Sequence, residues 1–400
     1  MTASAARVVL GALTKQFGDK VALDHVDLAV EPGRFLVLLG PSGSGKTTLL
    51  RCLAGIERPS SGTIEVGGRE VVGPRTFVPP HKRDLAMVFQ DYALWPHLTV
   101  EKNVAFPLKR GGTERAGRAG RVGEMLDRVG IAHLAQRYPN ELSGGEQQRV
   151  ALARALVAEV GLVLFDEPLS NLDADRRDQL RLQIGILTRE QGATSVYITH
   201  DQAEAFALAD VVGVLREGRL VQLAPPEEVY TRPADAFVAR FTGVAGEFDV
   251  EIGAPIGADR FEVVLKEAGG PRVVATAPGG ELPHGAVRLF LRARGIALRG
   301  DDPSAALRGE IRDVAFTGQG YEHVVALASG RQLSKVFSDT RYERGSAVAL
   351  DVDPAQCLLL ADDAPQDPSA PDAPTDPAGP SDEPAAAPAE LDSAMIISKR

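Results

Sequence analysis

Short, continuous apolar runs alternate with helix-length segments through roughly the first 230 residues, and this pattern predicts most of the fold. Phe35–Leu39, Leu85–Phe89, Leu162–Phe165 and Ser195–Thr199 read as strands, whereas Thr47–Ala54 and Arg176–Glu190 read as helices. Strands that are apolar at successive positions, with helices between them, are buried on both faces, which predicts a parallel sheet in an α/β domain. Between Gln90 and Leu142 the β-like runs stop and the apolar pattern turns helical, as over Glu114–Val129, predicting a helical insertion. After about Gly243 the texture changes again. Phe248–Ile252, Arg260–Leu265, Val287–Leu291, Gly309–Phe316, Tyr321–Leu327, Gln332–Val336 and Ala347–Val352 are short alternating segments separated by Gly, Pro and Asp. Strands of that length and spacing predict a small antiparallel barrel. No internal repeat of solenoid period is visible.

Composition sets off the end of the chain. From Ala361 to Arg400 there are eight prolines, nine acidic residues, two basic ones and no aromatic, so this tail is expected to be disordered. It carries −7 of the formal net charge of −10, leaving the rest of the chain nearly neutral. A nearly neutral body without a Lys/Arg stripe lacks the electrostatic footprint of a nucleic-acid binder. The basic residues between Lys109 and Arg128 are interrupted by glycines and acids and read as a solvated helix face. Cys52 and Cys357, far apart in apolar settings, read as core residues of a protein from a reducing compartment. Val8–Leu13 is too short for a signal-peptide core, and no run of about 18 apolar residues occurs, so the chain is not expected to span a membrane alone.

Chemistry concentrates at the strand ends. Gly40-Pro41-Ser42-Gly43-Ser44-Gly45-Lys46-Thr47 follows an apolar strand and precedes a helix beginning with Thr48, the context of a phosphate-binding loop. Glycines let the backbone N–H groups turn inward onto phosphates, Lys46 neutralises the β- and γ-phosphates, and Thr47 offers a hydroxyl to Mg²⁺. The strand Leu162–Phe165 runs into Asp166 and Glu167; Asp166 is assigned to the magnesium shell and Glu167 to polarising the attacking water, against the alternative of two solvent-facing acids. His200 follows the strand Ser195–Thr199, at the end of a parallel strand where ligands bind, although a lone histidine is more often structural. Gln90 has a similar place and reaches magnesium or water in this reading; taken alone it is a surface glutamine. A second anion-holding element, Leu142-Ser143-Gly144-Gly145-Glu146, opens another helix-forming run and leaves backbone N–H groups and the Ser143 hydroxyl for a phosphate. One nucleotide has no obvious use for both elements in one subunit, which raises the expectation of a second copy.

Taken together these residues resemble the nucleotide-binding subunit of an ABC transporter over residues 5 to 240. The resemblance identifies Walker A at 40–47, a Q-loop at Gln90, the signature at Leu142 to Glu146, Walker B at 162–166 with Glu167, a D-loop at Ser170-Asn171-Leu172-Asp173 and a switch at His200. It implies a P-loop NTPase fold that binds ATP and Mg²⁺ and works as a homodimer, with Ser143, Gly144 and Gly145 of one subunit closing over ATP held by the other. It also implies that Phe17 stacks on adenine, with plain core packing as the rival reading, and that Asp173 belongs to the nucleotide site. The stretch Asp91 to Val100 and the added β-domain resemble importer ATPases serving ferric iron, polyamines, phosphonates or sugars, in which the segment after Gln90 contacts the permease. The C-terminal part resembles a TOBE or OB-like domain, but carries Arg292-Ala293-Arg294 where that group is expected to have Arg-Pro-Glu. Another departure is Ala158-Glu159-Val160-Gly161, which lacks the proline that relatives often place before Walker B.

The expected organisation is an ATPase domain over 5–242 with a helical subdomain at about 91–158, a β-domain over 243–361 and a disordered tail over 362–400. The expected function is ATP hydrolysis energising solute import at the cytoplasmic face of the membrane, with permease subunits as partners, a solute-binding protein as an indirect one, and no nucleic acid. The alternatives are a permease-free ABC ATPase acting on ribosomes or nucleic acid, and a non-catalytic nucleotide sensor. No His/Cys/carboxylate cluster with metal-ligand spacing appears in the β-domain. The short Met395-Ile396-Ile397 run in the tail is a candidate anchor.

Overall fold

The computed structural model describes residues 5–109, 115–170, 172–266 and 270–362. The expected tail beyond Asp362, with Met395-Ile396-Ile397, and Asn171 of the D-loop lie outside them; Ala361 and Asp362, which the sequence placed in the tail, are described, Ala361 as the last residue of a strand and Asp362 donating its N–H to the Ala286 carbonyl at 2.8 Å. The chain runs through β1 (Val8–Phe17), β2 (Lys20–Val30), β3 (Phe35–Leu39), α1 (Lys46–Ala54), β4 (Ser61–Val66), β5 (Arg69–Val72) and β6 (Leu85–Val88). A helical stretch follows, with α2 (Val100–Ala105), α3 (Arg115–Arg128) and α4 (Gly144–Leu156). Then come β7 (Leu162–Asp166), α5 (Ala174–Gln191), β8 (Thr194–Thr199), α6 (Gln202–Leu208), β9 (Val211–Arg216), β10 (Arg219–Ala224), α7 (Pro226–Thr231) and α8 (Ala236–Phe241).

The central sheet has the order β10-β9-β3-β8-β7-β6, parallel except for the β9–β10 hairpin. Its strands show why the apolar runs are continuous. Phe35, Val37 and Leu39 of β3 pack into the core on the helical side, whereas Leu36 and Leu38 pack on the opposite face with α1. The same division separates Val163 and Phe165 from Leu162 and Leu164 in β7. Two-sided burial of this kind contributes roughly 1.5–3 kcal/mol per large apolar side chain. It fixes the strand ends from which the site is built.

A separate four-stranded antiparallel sheet, β2-β1-β4-β5, covers one side. The sequence pattern missed it. Ala12 and His25 adopt left-handed backbone conformations and the β1–β2 register shifts repeatedly, so strict alternation is lost there.

The C-terminal strands are β11 (Gly246–Pro255), β12 (Arg260–Leu265), β13 (Arg272–Thr276), β14 (Val287–Leu291), β15 (Ile296–Arg299), β16 (Leu307–Phe316), β17 (Tyr321–Leu327), β18 (Gln332–Ser338), β19 (Ala347–Val352) and β20 (Cys357–Ala361). The single antiparallel barrel expected from the pattern is corrected in two respects. Only β11-β12-β13-β20-β14 closes into a barrel, and β15-β19-β16-β17-β18 forms a second five-stranded sheet. The barrel also contains one parallel pair, β13 with β20, because β20 returns to it only after the chain has built the second sheet. Cys52 and Cys357 are both buried core residues, as the sequence suggests.

Candidate nucleotide site

Strand β3 delivers the chain into the loop at Gly40, where a Cβ would sit 2.3 Å from the Leu215 carbonyl oxygen. Gly45, the residue before α1, has φ +103° and no room for a side chain against the Ala22 carbonyl, 2.5 Å from an added Cβ. Glycine is therefore required at both ends of the turn that points the loop at the α1 N-terminus. Lys46 is buried, and its Nζ donates to the carbonyls of Gly40 at 2.6 Å and Pro41 at 2.9 Å. Burial lowers the Lys46 ammonium below its ordinary range, and the negative charge of Glu167 opposes that shift. The loop floors a cleft of about 340 Å³ lined by Ser42 to Thr48, by Phe17, Lys20 and Ala22, and by Glu167. Phe17 is 47% exposed at this cleft with the Lys15 Nζ 4.4 Å from its ring centroid, so the core-packing reading of Phe17 fails.

Walker B is the C-terminal end of β7, next to β8 and one strand removed from β3. Asp166 is buried; desolvation pushes its carboxyl up, Arg51 opposes this, and the nearby charges of Glu167 and Asp91 add to it. Glu167 turns out of the strand with a left-handed backbone, φ +41°, its N–H directed to the Ile198 carbonyl at 3.3 Å. Strained backbone of this kind concentrates at functional positions. His200, just past β8, places Nδ1 3.2 Å from Oε2 of Glu167. Behind that pair lies a polar cavity of about 30 Å³ lined by Ser170, Arg177, Thr199, Asp201 and Glu204 as well as Glu167 and His200. Glu204 was not singled out from the sequence. It is buried on the first turn of α6 and accepts from the Tyr197 hydroxyl at 2.8 Å and the Thr199 hydroxyl at 2.9 Å.

Gln90 is exposed, one residue beyond Phe89 at the end of β6, within a turn closed by the Tyr92 N–H donating to the Phe89 carbonyl. The signature residues lie elsewhere. Ser143, Gly144 and Gly145 do not line the P-loop cleft. Ser143 is the N-cap of α4, and its hydroxyl is not left open for a phosphate, as the sequence suggested: Oγ donates to Glu146 Oε2 at 2.7 Å, and the Ser143 N–H donates to the same oxygen. The carboxylate three residues on closes a capping arrangement that the Ser-x-x-Glu spacing encodes. Asp173 is likewise spent locally, accepting from the Arg176 N–H at 3.0 Å as the N-cap of α5. Gly145 and Arg176 are neighbours, so the signature and the start of α5 adjoin. One chain thus assembles Phe17, the P-loop, Glu167 and His200, and holds Ser143, Gly144, Gly145 and Asp173 apart from them.

Comparison with known proteins bears on this arrangement. Residues 23–170 match the family model described as ABC transporter, and residues 289–360 match that of the TOBE domain. The chain is 43% identical to a protein of Rhizobium meliloti named Fe(3+) ions import ATP-binding protein FbpC 1, over 81% of this chain and 88% of that one. The chain belongs to the ABC transporter ATP-binding family. It is an ABC-type ATPase. Another relative is the spermidine/putrescine import ATP-binding protein PotA of Frankia alni, 44% identical over 80% of this chain and 70% of that protein. A third, named PotA 2, from Pseudomonas aeruginosa, is 40% identical over 84% of this chain and 93% of the relative.

Thr47, Asp166 and Gln90 carry a hydroxyl, a carboxylate and an amide oxygen, donors of the class that a hard divalent cation takes. Among the described residues no group of three or more His, Cys, Asp or Glu side chains is arranged to hold a metal. The crowding of Asp166, Glu167 and Asp91 noted above is the electrostatic environment such a cation relieves. Among the described residues no helix is long and apolar enough to cross a membrane.

The Arg292-Ala293-Arg294 departure has a structural role that the sequence hid. Arg292 leaves the barrel after β14 fully buried and donates to the carbonyls of Ala239, Gly243 and Tyr230 at 2.6–2.9 Å, with its guanidinium 4.3 Å over the Tyr230 ring. In the other departure, Glu159 adopts φ +49° before β7 and pairs with Arg121 of α3 at 2.6 Å.

Proposed function

We propose that this chain is the ATP-hydrolysing subunit of an import system, acting as a homodimer on membrane permease subunits at the cytoplasmic face of the membrane. The observation that carries the reading is that Lys46 and Glu167 line one cleft, with His200 set against Glu167 from outside it, while the signature of the same chain does not line that cleft. A single chain then holds half of each of two composite sites. The Ser143, Gly144 and Gly145 backbone closes over nucleotide bound to the partner copy, and Asp173 meets that site across the interface. Within the cleft, Phe17 stacks on adenine, the Gly40 to Thr48 loop cradles the phosphates, and Lys46 leaves its carbonyl partners for the β- and γ-phosphate oxygens. Thr47, Asp166 and Gln90 would hold Mg²⁺, which would supply neutralisation of phosphate charge. Glu167 accepts a proton from the water that attacks the γ-phosphorus in line as the bond to the ADP oxygen breaks, and His200 holds Glu167 and the γ-phosphate in register. Positioning and charge stabilisation of this kind are the protein's main contribution to phosphoryl transfer.

Residues 5–242 form the ATPase domain in this reading, with 91–158 as its helical subdomain, 243–361 as the β-domain and 362–400 as a solvating tail. The solute is ferric iron or a polyamine, the two classes for which the relatives are named. A solute-binding protein delivers it to the permease without touching this subunit, and nucleic acid plays no part. The alternative, a permease-free ABC ATPase acting on ribosomes or nucleic acid, is not favoured, since these relatives are named for import. The deciding experiment is affinity purification of the tagged chain from native membranes. A multispanning permease with a paired solute-binding protein encoded beside it supports the import role, and ribosomes or nucleic acid without a membrane protein reject it.

A further inference from the structure

Two residues just beyond Gln90 hold a conformation that their side chains disfavour. Tyr92 has φ +63° and Ala93 has φ +44°, and neither is glycine. Two consecutive left-handed non-glycine residues are uncommon and persist only where the surroundings hold them. Their holder is Arg154, in the last turn of α4, the helix that begins at the signature. Its two terminal nitrogens donate to both strained residues, Nη1 to the Ala93 carbonyl at 2.5 Å and Nη2 to the Tyr92 carbonyl at 2.8 Å. Tyr92 is also where the same turn begins its return: its N–H closes the Phe89–Tyr92 turn in which Gln90 stands. The Tyr92 side chain is buried and runs back along α4, its hydroxyl 3.9 Å from the position a Cβ would take on Gly144. One side chain thus grips the turn that carries Gln90, and the hydroxyl of a residue it grips lies beside the space over the first glycine of the signature.

We propose that Arg154 is a positioning residue for ATP hydrolysis: by holding the Tyr92 and Ala93 carbonyls it fixes the Gln90 turn against α4, so that Gln90 and the signature move as one body. The proposal rests on the composite-site reading above. A planar guanidinium makes the two parallel bonds that adjacent carbonyls require, whereas a lysine is a point donor that satisfies one at a time. Loss of the clamp lets the turn relax toward ordinary backbone geometry and displaces Gln90, and displacements of about 1 Å at a reacting centre cost on the order of 100-fold in rate. Nucleotide binding, which the P-loop carries, is untouched.

The test uses the purified full chain, with turnover expressed per ATP-binding site counted by titration with a fluorescent ATP analogue. Arg154→Ala is expected to lower kcat about 10- to 100-fold with KM and analogue affinity within about twofold of the parent, and Arg154→Lys to fall between them. Tyr92→Phe, which keeps the backbone contacts and removes the hydroxyl near Gly144, is expected to lower kcat less than Arg154→Ala does. Should Arg154→Ala fold poorly, the lysine variant carries the test through the same kcat-against-KM split. Wild-type kcat per site in the alanine variant, or in the lysine variant where alanine does not fold, overturns the proposal. Glu167→Gln is assayed beside them: if it hydrolyses ATP normally, the hydrolytic reading itself fails, whereas an inactive Glu167→Gln with an unaffected Arg154 variant rejects the positioning role alone.

Discussion

His200 Nδ1 and Glu167 Oε2 are 3.2 Å apart, although the two residues come from different strands and are 33 positions apart in the chain. The contact spans the tips of β7 and β8, and the left-handed backbone of Glu167 is what turns its carboxylate toward the histidine. If Glu167 takes the proton of the attacking water, Glu167→Gln lowers kcat by about 10²–10⁴-fold while ATP binding persists, since general-base catalysis contributes that much. His200→Ala is expected to lower kcat by at least about tenfold through the lost register of Glu167. Steady-state ATPase rates beside equilibrium binding of a fluorescent nucleotide check both. Gel filtration of Glu167→Gln with ATP and Mg²⁺ is expected to show a dimer.

The separation of Ser143 from the P-loop of its own chain predicts complementation between two defective copies. Ser143→Arg spoils the signature and Lys46→Ala spoils the P-loop, and each homodimer is expected to be inactive. A mixed dimer regains one intact composite site, formed by the P-loop of the Ser143→Arg chain and the signature of the Lys46→Ala chain. Mixing the two purified proteins is therefore expected to recover turnover, up to about half of the parent rate per mixed dimer when the sites act independently. A signature that served its own chain would leave the mixture as inactive as its parts.

The parallel strands were legible because two-sided burial demands apolar residues at every position, as in Phe35–Leu39. Four of the C-terminal strands, β12, β14, β17 and β19, have the bounds that alternation predicts. What escaped the pattern has physical reasons. β1 and β2 pair through bulges, so their period is broken, and β13, β15 and β20 are short segments whose partners are distant in sequence. The P-loop is readable because its glycines, Lys46 and Thr47 stand in one contiguous segment, although the carbonyls that demand glycine at 40 and 45, those of Leu215 and Ala22, lie far along the chain. The Ser143 hydroxyl was misread because its partner, Glu146, competes for it within the same motif. Arg154 and Arg292 act through contacts with residues far along the chain, and no local spacing announces them; Glu204 reaches back only to Tyr197 and Thr199, across the turn from β8 into α6.

Both thiols are expected to be inert in the folded protein. Burial pushes Cys52 and Cys357 up to about 12 from an ordinary value of 9.0. At pH 8 such a shift leaves roughly 10³-fold less thiolate than an ordinary cysteine has, and the thiolate is the reactive species. A chromogenic disulfide reagent at pH 8 is expected to titrate neither thiol in the native chain and two after denaturation in guanidinium. A fast-reacting thiol in the native protein contradicts the burial of one of them.

Arg292 ties the barrel to the helices that end the ATPase half, and its removal is expected to destabilise their junction more than it affects nucleotide binding. Its guanidinium donates to the carbonyls of Tyr230 on α7, Ala239 on α8 and Gly243 just beyond α8, the Ala239 contact buried and the other two part-buried, and the Tyr230 ring lies under it. Arg292→Ala strips these buried and part-buried carbonyls of their donors and leaves a cavity, a loss of about 3–5 kcal/mol. Arg292→Met refills much of the volume and restores no donor, so it is expected to recover only the packing part of that loss. Arg292→Lys keeps a charge and donors that reach fewer of the three carbonyls, and is expected to be the mildest of the three variants. Urea unfolding followed by far-UV circular dichroism ranks them, with fluorescent-nucleotide affinity as the control that stays constant because none of Arg292's partners at this junction lines the P-loop cleft. If Arg292→Met proves as stable as the parent, shape rather than hydrogen bonding holds the junction, and the carbonyl contacts contribute nothing net.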